Sequence, residues 1–160
     1  MTESAVLLDI RNQVAWVTLN RPDALNAMSP SLLDGISAAV DGIEAADNVR
    51  AVVFTGAGRA FCAGGDLTFF KTAIAEDPQA FVRFAEYAQT TLRRVEMLKM
   101  PVIAAVNGFA VAGGLELILC CDLVIASDKA KIGDGHANFG IIPGGGSAIR
   151  LPRKIPVALA

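Results

Sequence analysis

Val102-Ile103-Ala104-Ala105-Val106, then Asn107-Gly108-Phe109-Ala110-Val111-Ala112-Gly113-Gly114-Leu115-Glu116, then Leu117-Ile118-Leu119-Cys120-Cys121 is the stretch whose reading decides the fold. The first run reads as a buried strand and the last as a buried helix. The glycines between them let another group approach the backbone closely. The first N–H groups of a helix have no intrahelical partner and lie at the positive end of its dipole. Such a helix start is a site for a negative oxygen. Glu116 follows Gly113 by about one helical turn, so its carboxylate can face the same space. An oxyanion site with a base beside it is what enolate formation requires.

Working outward, Val6 to Ile10 and Val14 to Leu19 read as strands joined by Arg11-Asn12-Gln13. Ser29-Pro30 starts a helix, a hydroxyl N-cap followed by proline at the first helical position. Leu32, Leu33, Ile36, Val40 and Ile43 give that helix one apolar stripe. Val49 to Thr55 returns to strand, and Gly56 to Leu67 reads as a long small-residue loop. Asp77-Pro78 starts a second helix, with Phe81, Phe84, Ala88, Leu92 and Val95 as its buried face. After the central stretch comes the strand Leu123 to Ala126, and Gly133 to Gly146 is again glycine-rich. Strands alternating with helices predict an α/β fold with largely parallel pairing, in one domain over residues 1–160.

With 53% hydrophobic and 19% charged residues, the chain can bury a core and is not a disordered segment. A net charge of −2, no basic run and few aromatics exclude nucleic acid as the expected partner. The apolar segment from Pro101 to Ala126 is interrupted by Asn107, Gly113-Gly114, Glu116 and Asp122, a set too polar for hydrocarbon. A strand and helix in a protein core explain it without a membrane. The start, Met1-Thr2-Glu3-Ser4, has no signal pattern, and three cysteines with two adjacent make no disulfide framework. A reducing cytoplasm is the expected compartment. Cys62 lies in a glycine-rich loop, where packing explains it better than nucleophilic chemistry. A single histidine without paired cysteine spacing argues against a metal site. No strand-to-helix turn carries a dinucleotide fingerprint or a Gly-Lys-Ser/Thr phosphate loop, so no nucleotide cofactor is expected.

Glu116 is the only charged residue between Pro101 and Asp122. The helix dipole alone favours an acid there, yet so apolar a setting makes an unused carboxylate costly. His136, the only histidine, reads either as a structural loop residue or as an acid/base group.

Four ordered segments carry a resemblance to the crotonase, or enoyl-CoA hydratase/isomerase, family, spanning nearly everything from Val14 to Lys154. They are Leu19-Asn20-Arg21-Pro22 with Ala24-Leu25-Asn26-Ala27; Ala60-Phe61-Cys62-Ala63-Gly64-Gly65-Asp66-Leu67; Val106-Asn107-Gly108 with Ala112-Gly113-Gly114-Leu115-Glu116; and Gly140-Ile141-Ile142-Pro143-Gly144-Gly145-Gly146. The resemblance implies a spiral of ββα units, an acyl-CoA thioester substrate with no separate cofactor, and a homo-oligomer, either a trimer or a dimer of trimers. It implies oxyanion donors at Gly65 and Gly113 and a catalytic acid/base at Glu116. Ala63, Gly64, Asp66 and Leu67 match the CoA-binding segment, Ala24 and Leu25 the passage of the pantetheine arm. Gly114, Pro143 and Gly144 complete the implied substrate contacts.

Two departures from the family pattern stand out. His136 falls where the second hydratase glutamate is expected, and Gly135 where its neighbouring proline is expected. The chain also stops before the C-terminal helices that close the acyl pocket and build the trimer in the family, which leaves apolar surface without its expected cover. Hydration of an enoyl-CoA is the leading expectation. Double-bond isomerisation with a single acid/base, and silent acyl-CoA binding by a subunit or truncated fragment, are the alternatives.

Overall fold

The computed structural model describes residues 4–77 and 79–160. Strands β1 (Val6–Arg11) and β2 (Val14–Leu19) form an antiparallel hairpin, with Val6 opposite Leu19 and Arg11 opposite Val14. Asn12 and Gln13 close it at φ of 50° and 64°, the left-handed pair that matches the twist of a hairpin. Ala15, Val17 and Leu19 alternate into the core along β2.

Helix α1 (Pro30–Glu44) begins where the Ser-Pro pair predicts, the Ser29 hydroxyl accepting from the Leu32 N–H at 3.2 Å. Its stripe of Leu32, Leu33, Ile36, Val40 and Ile43 is buried in full. Strand β3 (Ala51–Gly56) then pairs parallel with β2. The strand starts at Ala51 and not at the predicted Val49, whose N–H instead donates to the Ala46 carbonyl at 3.3 Å. Helices α2 (Leu67–Glu76) and α3 (Ala80–Glu96) follow. Helix α2 was not expected. Pro78 of the predicted Asp77-Pro78 start lies outside the described residues, and Asp77 accepts the Gln79 N–H at 2.8 Å just before α3.

Strands β5 (Val102–Val106) and β7 (Leu123–Ala126) continue the parallel pairing, giving a five-stranded sheet in the order β1-β2-β3-β5-β7. A second sheet of three parallel strands is built from β4 (Ala60–Cys62), β6 (Phe109–Val111) and β8 (Lys131–Gly133). Strands β4 and β6 lie in segments read from the sequence as loop or turn, and β8 overlaps the third glycine-rich segment only at Gly133. Each three-residue strand directly follows a strand of the large sheet: β4 after β3, β6 after β5, β8 after β7. The chain therefore winds once through both sheets per repeat, the expected ββα spiral. Helix α4 (Gly113–Leu119) is buried throughout, and a further helix, α5 (Ser147–Lys154), follows the last glycine-rich segment.

Strand β7 is exposed along its whole length, with Ile125 66% exposed although it carries an apolar sequence. Val157 and Leu159 are similarly open. No helix among the described residues is long and apolar enough to cross a membrane.

Candidate active site

The strands of the small sheet run parallel, so their C-terminal ends share one edge. Chain leaving that edge forms the three glycine-rich segments: Ala63-Gly64-Gly65 after β4, Ala112-Gly113-Gly114 after β6, and Asp134-Gly135-His136 after β8. Ligand sites in α/β sheets favour such carboxyl edges. A cavity of about 220 Å³ opens here.

Its chemical side is lined by Gly65, Gly113, Glu116 and His136, and its apolar side by Met28, Phe70, Phe81, Phe84 and Ala88. Phe70 packs edge-on against Phe81 and Phe84, with ring centroids 5.2 and 5.0 Å apart. This wall comes from α2 and α3.

Two asparagines, Asn26 buried and Asn107 half-buried, hold the β3–β4 connection that leads into the first turn. Asn26, fully buried, donates to the Ala57 and Ala60 carbonyls at 2.9 and 2.8 Å and accepts the Arg21 N–H at 2.8 Å. Asn107 donates to the Gly58 carbonyl at 3.0 Å and accepts the Gly56 N–H at 3.1 Å. Met28 bridges the turn itself, donating to the Gly64 carbonyl at 2.7 Å and accepting from the Asp66 N–H at 2.9 Å. The Gly65 N–H between those contacts has no acceptor among the described residues.

The second turn is strained. Ala112 sits at φ 49° and ψ −116°, a region L-residues avoid, and its N–H donates to the Gly133 carbonyl at 3.1 Å. That kink starts α4, whose Gly113 N–H also lacks an acceptor among the described residues. A Cβ on Gly113 would lie 3.7 Å from the Gly64 carbonyl carbon, so the two donor-bearing turns abut.

Glu116 lies in the first turn of α4, 5% exposed. Its Oε1 accepts the Ser147 N–H at 3.2 Å, at the first residue of α5, so the positive end of a second helix also faces the carboxylate. Its Oε2 lies 3.8 Å from His136 Nε2. On the other ring nitrogen, His136 Nδ1 is 2.8 Å from Asp134 Oδ1, and the Ser147 hydroxyl donates to Asp134 Oδ2 at 2.6 Å. Burial works to raise the Asp134 carboxyl, but the hydrogen bonds from Ser147 and His136 outweigh it and hold it below the usual range. Gly135 sits at φ 72°, which proline with its φ near −65° cannot adopt. The glycine lets the chain fold back so that the His136 N–H also reaches Asp134 Oδ1, at 3.1 Å.

The model of the enoyl-CoA hydratase/isomerase family matches residues 9–160. The chain belongs to that family. The short-chain-enoyl-CoA hydratase of Clostridium acetobutylicum is 40% identical, over 97% of this chain and 59% of that protein. The crotonyl-CoA hydratase of Syntrophomonas wolfei is 37% identical, over 100% of this chain and 61% of that protein. The crystal structure of enoyl-CoA hydratase from Bacillus anthracis superposes with a TM-score of 0.89 at 38% identity, covering 97% of this chain and 60% of that one. This chain thus spans about three fifths of the length of these relatives.

In this enoyl-CoA hydratase/isomerase family member, the candidate residues Ala63, Gly65, Leu67, Gly113, Glu116, His136 and Gly144 line the cavity. Ala24, Leu25, Gly64, Asp66, Gly114 and Pro143 do not line it. Several of them support the lining instead. The Leu25 carbonyl accepts the Ala63 N–H at 3.0 Å. Asp66 caps α2 through the Phe69 N–H at 3.1 Å and pairs with Arg21 at 3.0 Å. Burial raises the Asp66 carboxyl, while the bonds from Phe69 and Arg21 bring it below its ordinary value. Cys62 is fully buried, and burial pushes its thiol up to about 12, which leaves no thiolate for attack. Among the described residues, no three histidine, cysteine or carboxylate side chains converge as a metal site.

The sequence reading missed Asp134, Ser147 and Phe70, and it put Phe81 and Phe84 on the buried face of α3, where they are half-buried and line the cavity instead. Asp134 stands two residues before His136, a spacing that allows a local side-chain bond. Nothing in the sequence ties Ser147 to Glu116.

Proposed function

We propose that this chain carries the catalytic core of an enoyl-CoA hydratase-type enzyme, adding water across the double bond of a 2-enoyl-CoA thioester. One observation carries the reading: buried Glu116 faces the same cavity as the unengaged N–H groups of Gly65 and Gly113. In this reading the thioester oxygen sits between those two donors. Charge building on it as the double bond is attacked is stabilised there, each such donor contributing about 10²–10³ in rate. Glu116 takes the proton from water, a general-base contribution of about 10²–10⁴.

The phenylalanine wall supports an apolar acyl group on the α2–α3 side. The CoA arm would leave the cavity past Leu67 and Asp66, toward Ala24 and Leu25. Gly114 supports the donor turn from behind, and Pro143 and Gly144 shape the opposite lip. Unpaired, buried Cys62, Cys120 and Cys121 are consistent with a reducing cytoplasm. The exposed apolar strand β7 supports a homo-oligomer, as a trimer or a dimer of trimers.

Acetoacetyl-CoA tests the reading. Bound as its enolate it absorbs in the near ultraviolet, and a saturable difference band is expected. Absence of the band, with no turnover of 2-butenoyl-CoA, would overturn the proposal. Presentation of a 3-enoyl thioester separates the second reading, since bond migration without water uptake marks an isomerase. That reading is favoured by one observation only, the imidazole where a second carboxylate is expected.

A further inference from the structure

We propose that Asp134 positions His136 as the second proton-transfer group of this site, completing with Glu116 a circuit that resets itself after each turnover. The proposal rests on the hydratase-type reading above. Four residues close a ring, three through their side chains alone and Ser147 through its hydroxyl and its backbone N–H. Asp134 meets His136 Nδ1 at 2.8 Å, His136 Nε2 faces Glu116 Oε2 at 3.8 Å, Glu116 Oε1 takes the Ser147 N–H at 3.2 Å, and the Ser147 hydroxyl returns to Asp134 at 2.6 Å. His136 and Glu116 are 11% and 6% exposed, so few solvent partners compete. Arg150 of α5 is a neighbouring charge. Its guanidinium is engaged by Glu96 at 2.7 Å and by the Gly145 carbonyl at 2.7 Å.

The chemistry follows from the ring. An ionised Asp134 only accepts hydrogen bonds, so the neutral imidazole keeps its proton on Nδ1 and presents the Nε2 lone pair to the cavity. The protonated imidazole carries a proton on both nitrogens, and only the Nε2 proton faces the substrate. In the forward reaction Glu116 removes a proton from water while oxygen bonds to the β-carbon and the thioester becomes an enolate. His136 Nε2–H then gives its proton to the α-carbon, and the enolate electron pair forms that C–H bond. One water has been added. Glu116 is left protonated and His136 neutral. Oε2 and Nε2 face each other across 3.8 Å, so the proton returns from Glu116 to His136, directly after a small closure or through one water. Asp134 touches no substrate in this scheme. It fixes the tautomer and balances the imidazolium charge.

His136 is the only histidine, so its two ring nitrogens are readable by nitrogen-15 NMR without assignment. At alkaline pH the unmodified protein is expected to show the Nδ1–H tautomer, the reverse of free imidazole in water. Asp134→Ala should revert to the Nε2–H form and lower kcat for 2-butenoyl-CoA by at least about tenfold, with KM within about twofold. Asp134→Asn keeps an oxygen where the His136 N–H and Nδ1–H both point. It should retain the tautomer and lose less rate than Asp134→Ala. An Nε2–H tautomer in the unmodified protein, or an unchanged kcat in Asp134→Ala, overturns the proposal and leaves the roles of Glu116, Gly65 and Gly113 standing. Should Asp134→Ala not fold, the parent tautomer and the kcat of Asp134→Asn decide alone. A protein that shows the Nδ1–H form but hydrates no enoyl thioester overturns the hydratase reading, and the acid role of His136 with it.

Discussion

Gly114→Ala adds one methyl group at the second residue of α4. On helix propensity alone the change stabilises by about 0.5–1 kcal/mol. Here the new Cβ would stand 3.0 Å from the Cys62 carbonyl carbon and 3.1 Å from the Cys62 Cβ, closer still to the carbonyl oxygen. Those neighbours are backbone and buried core, with Cys62 0% exposed, and no flexible side chain is available to swing away. Non-bonded heavy atoms sit best about 3.5–4.0 Å apart, and the carbonyl oxygen is the nearest neighbour, so α4 and β4 must separate by roughly 1 Å or more. Overpacking of this kind costs about 1–3 kcal/mol, which exceeds the propensity gain. The net loss of about 1–2 kcal/mol lowers the midpoint of a thermal melt by about 2–8 °C for a chain of this size. The same displacement parts Gly113 from Gly65, so the acetoacetyl-CoA enolate band should weaken more than the melt alone implies. Gly133→Ala is the control, because its Cβ would meet nothing within 4 Å. A Gly114→Ala protein melting at or above the parent temperature would refute the close approach and the reasoning built on it.

Glu116→Gln keeps an oxygen for the Ser147 N–H, so the melt should move little while turnover falls by at least about 10². Unchanged turnover would remove Glu116 from the mechanism. Asn26→Ala strips an acceptor from the Arg21 N–H and a donor from the Ala57 and Ala60 carbonyls, and should cost about 2–4 kcal/mol by urea unfolding. A loss below about 1 kcal/mol would mean that water replaces the side chain. Asp66→Asn preserves the cap on α2 and removes the charge facing Arg21. The Asp66 carboxyl lies below its unfolded value in the native state, so its ionised form adds stability above about pH 4 that is lost as pH falls through the folded value. The stability gap between parent and Asp66→Asn should therefore be widest near neutrality and close in acid. A gap independent of pH would refute the assignment.

Legibility in the sequence followed the range of the interaction. The start of α1 was readable because a hydroxyl cap and a first-turn proline act within four residues. Helix α3 was readable from the spacing of its apolar face. Strands β4, β6 and β8 were not, because three residues are too few to display a period of two, and their pairing links Ala60 to Phe109 and Phe109 to Lys131. Glu116 stood out because an acid in so apolar a segment demands a reason. Its partners did not, since Ser147 reaches it from 31 residues away through a backbone N–H that any residue carries. Asn26 was visible as part of a motif, but nothing local revealed a fully buried amide that donates to the distant Ala57 and Ala60 carbonyls.

The two sheets divide stability from chemistry. Large-sheet residues such as Val17, Phe54 and Ala104 are 0% exposed and touch no part of the cavity. The small sheet contributes strands of three residues each, too short to stand alone, and holds its register through Asn26, Asn107 and the Met28 bridge. What it provides is a common edge. Three parallel strands end together, and each turn beyond that edge brings one part of the cavity lining: Gly65 from the first, Gly113 and Glu116 from the second, and His136, bonded to Asp134, from the third. Under the proposed function, a change in the third turn alone, at Gly135 and His136, would alter the proton chemistry while leaving both donors in place. Under the proposed function, a His136 that protonates the α-carbon belongs to the hydratase reading, and an idle His136 beside a working Glu116 belongs to the isomerase reading.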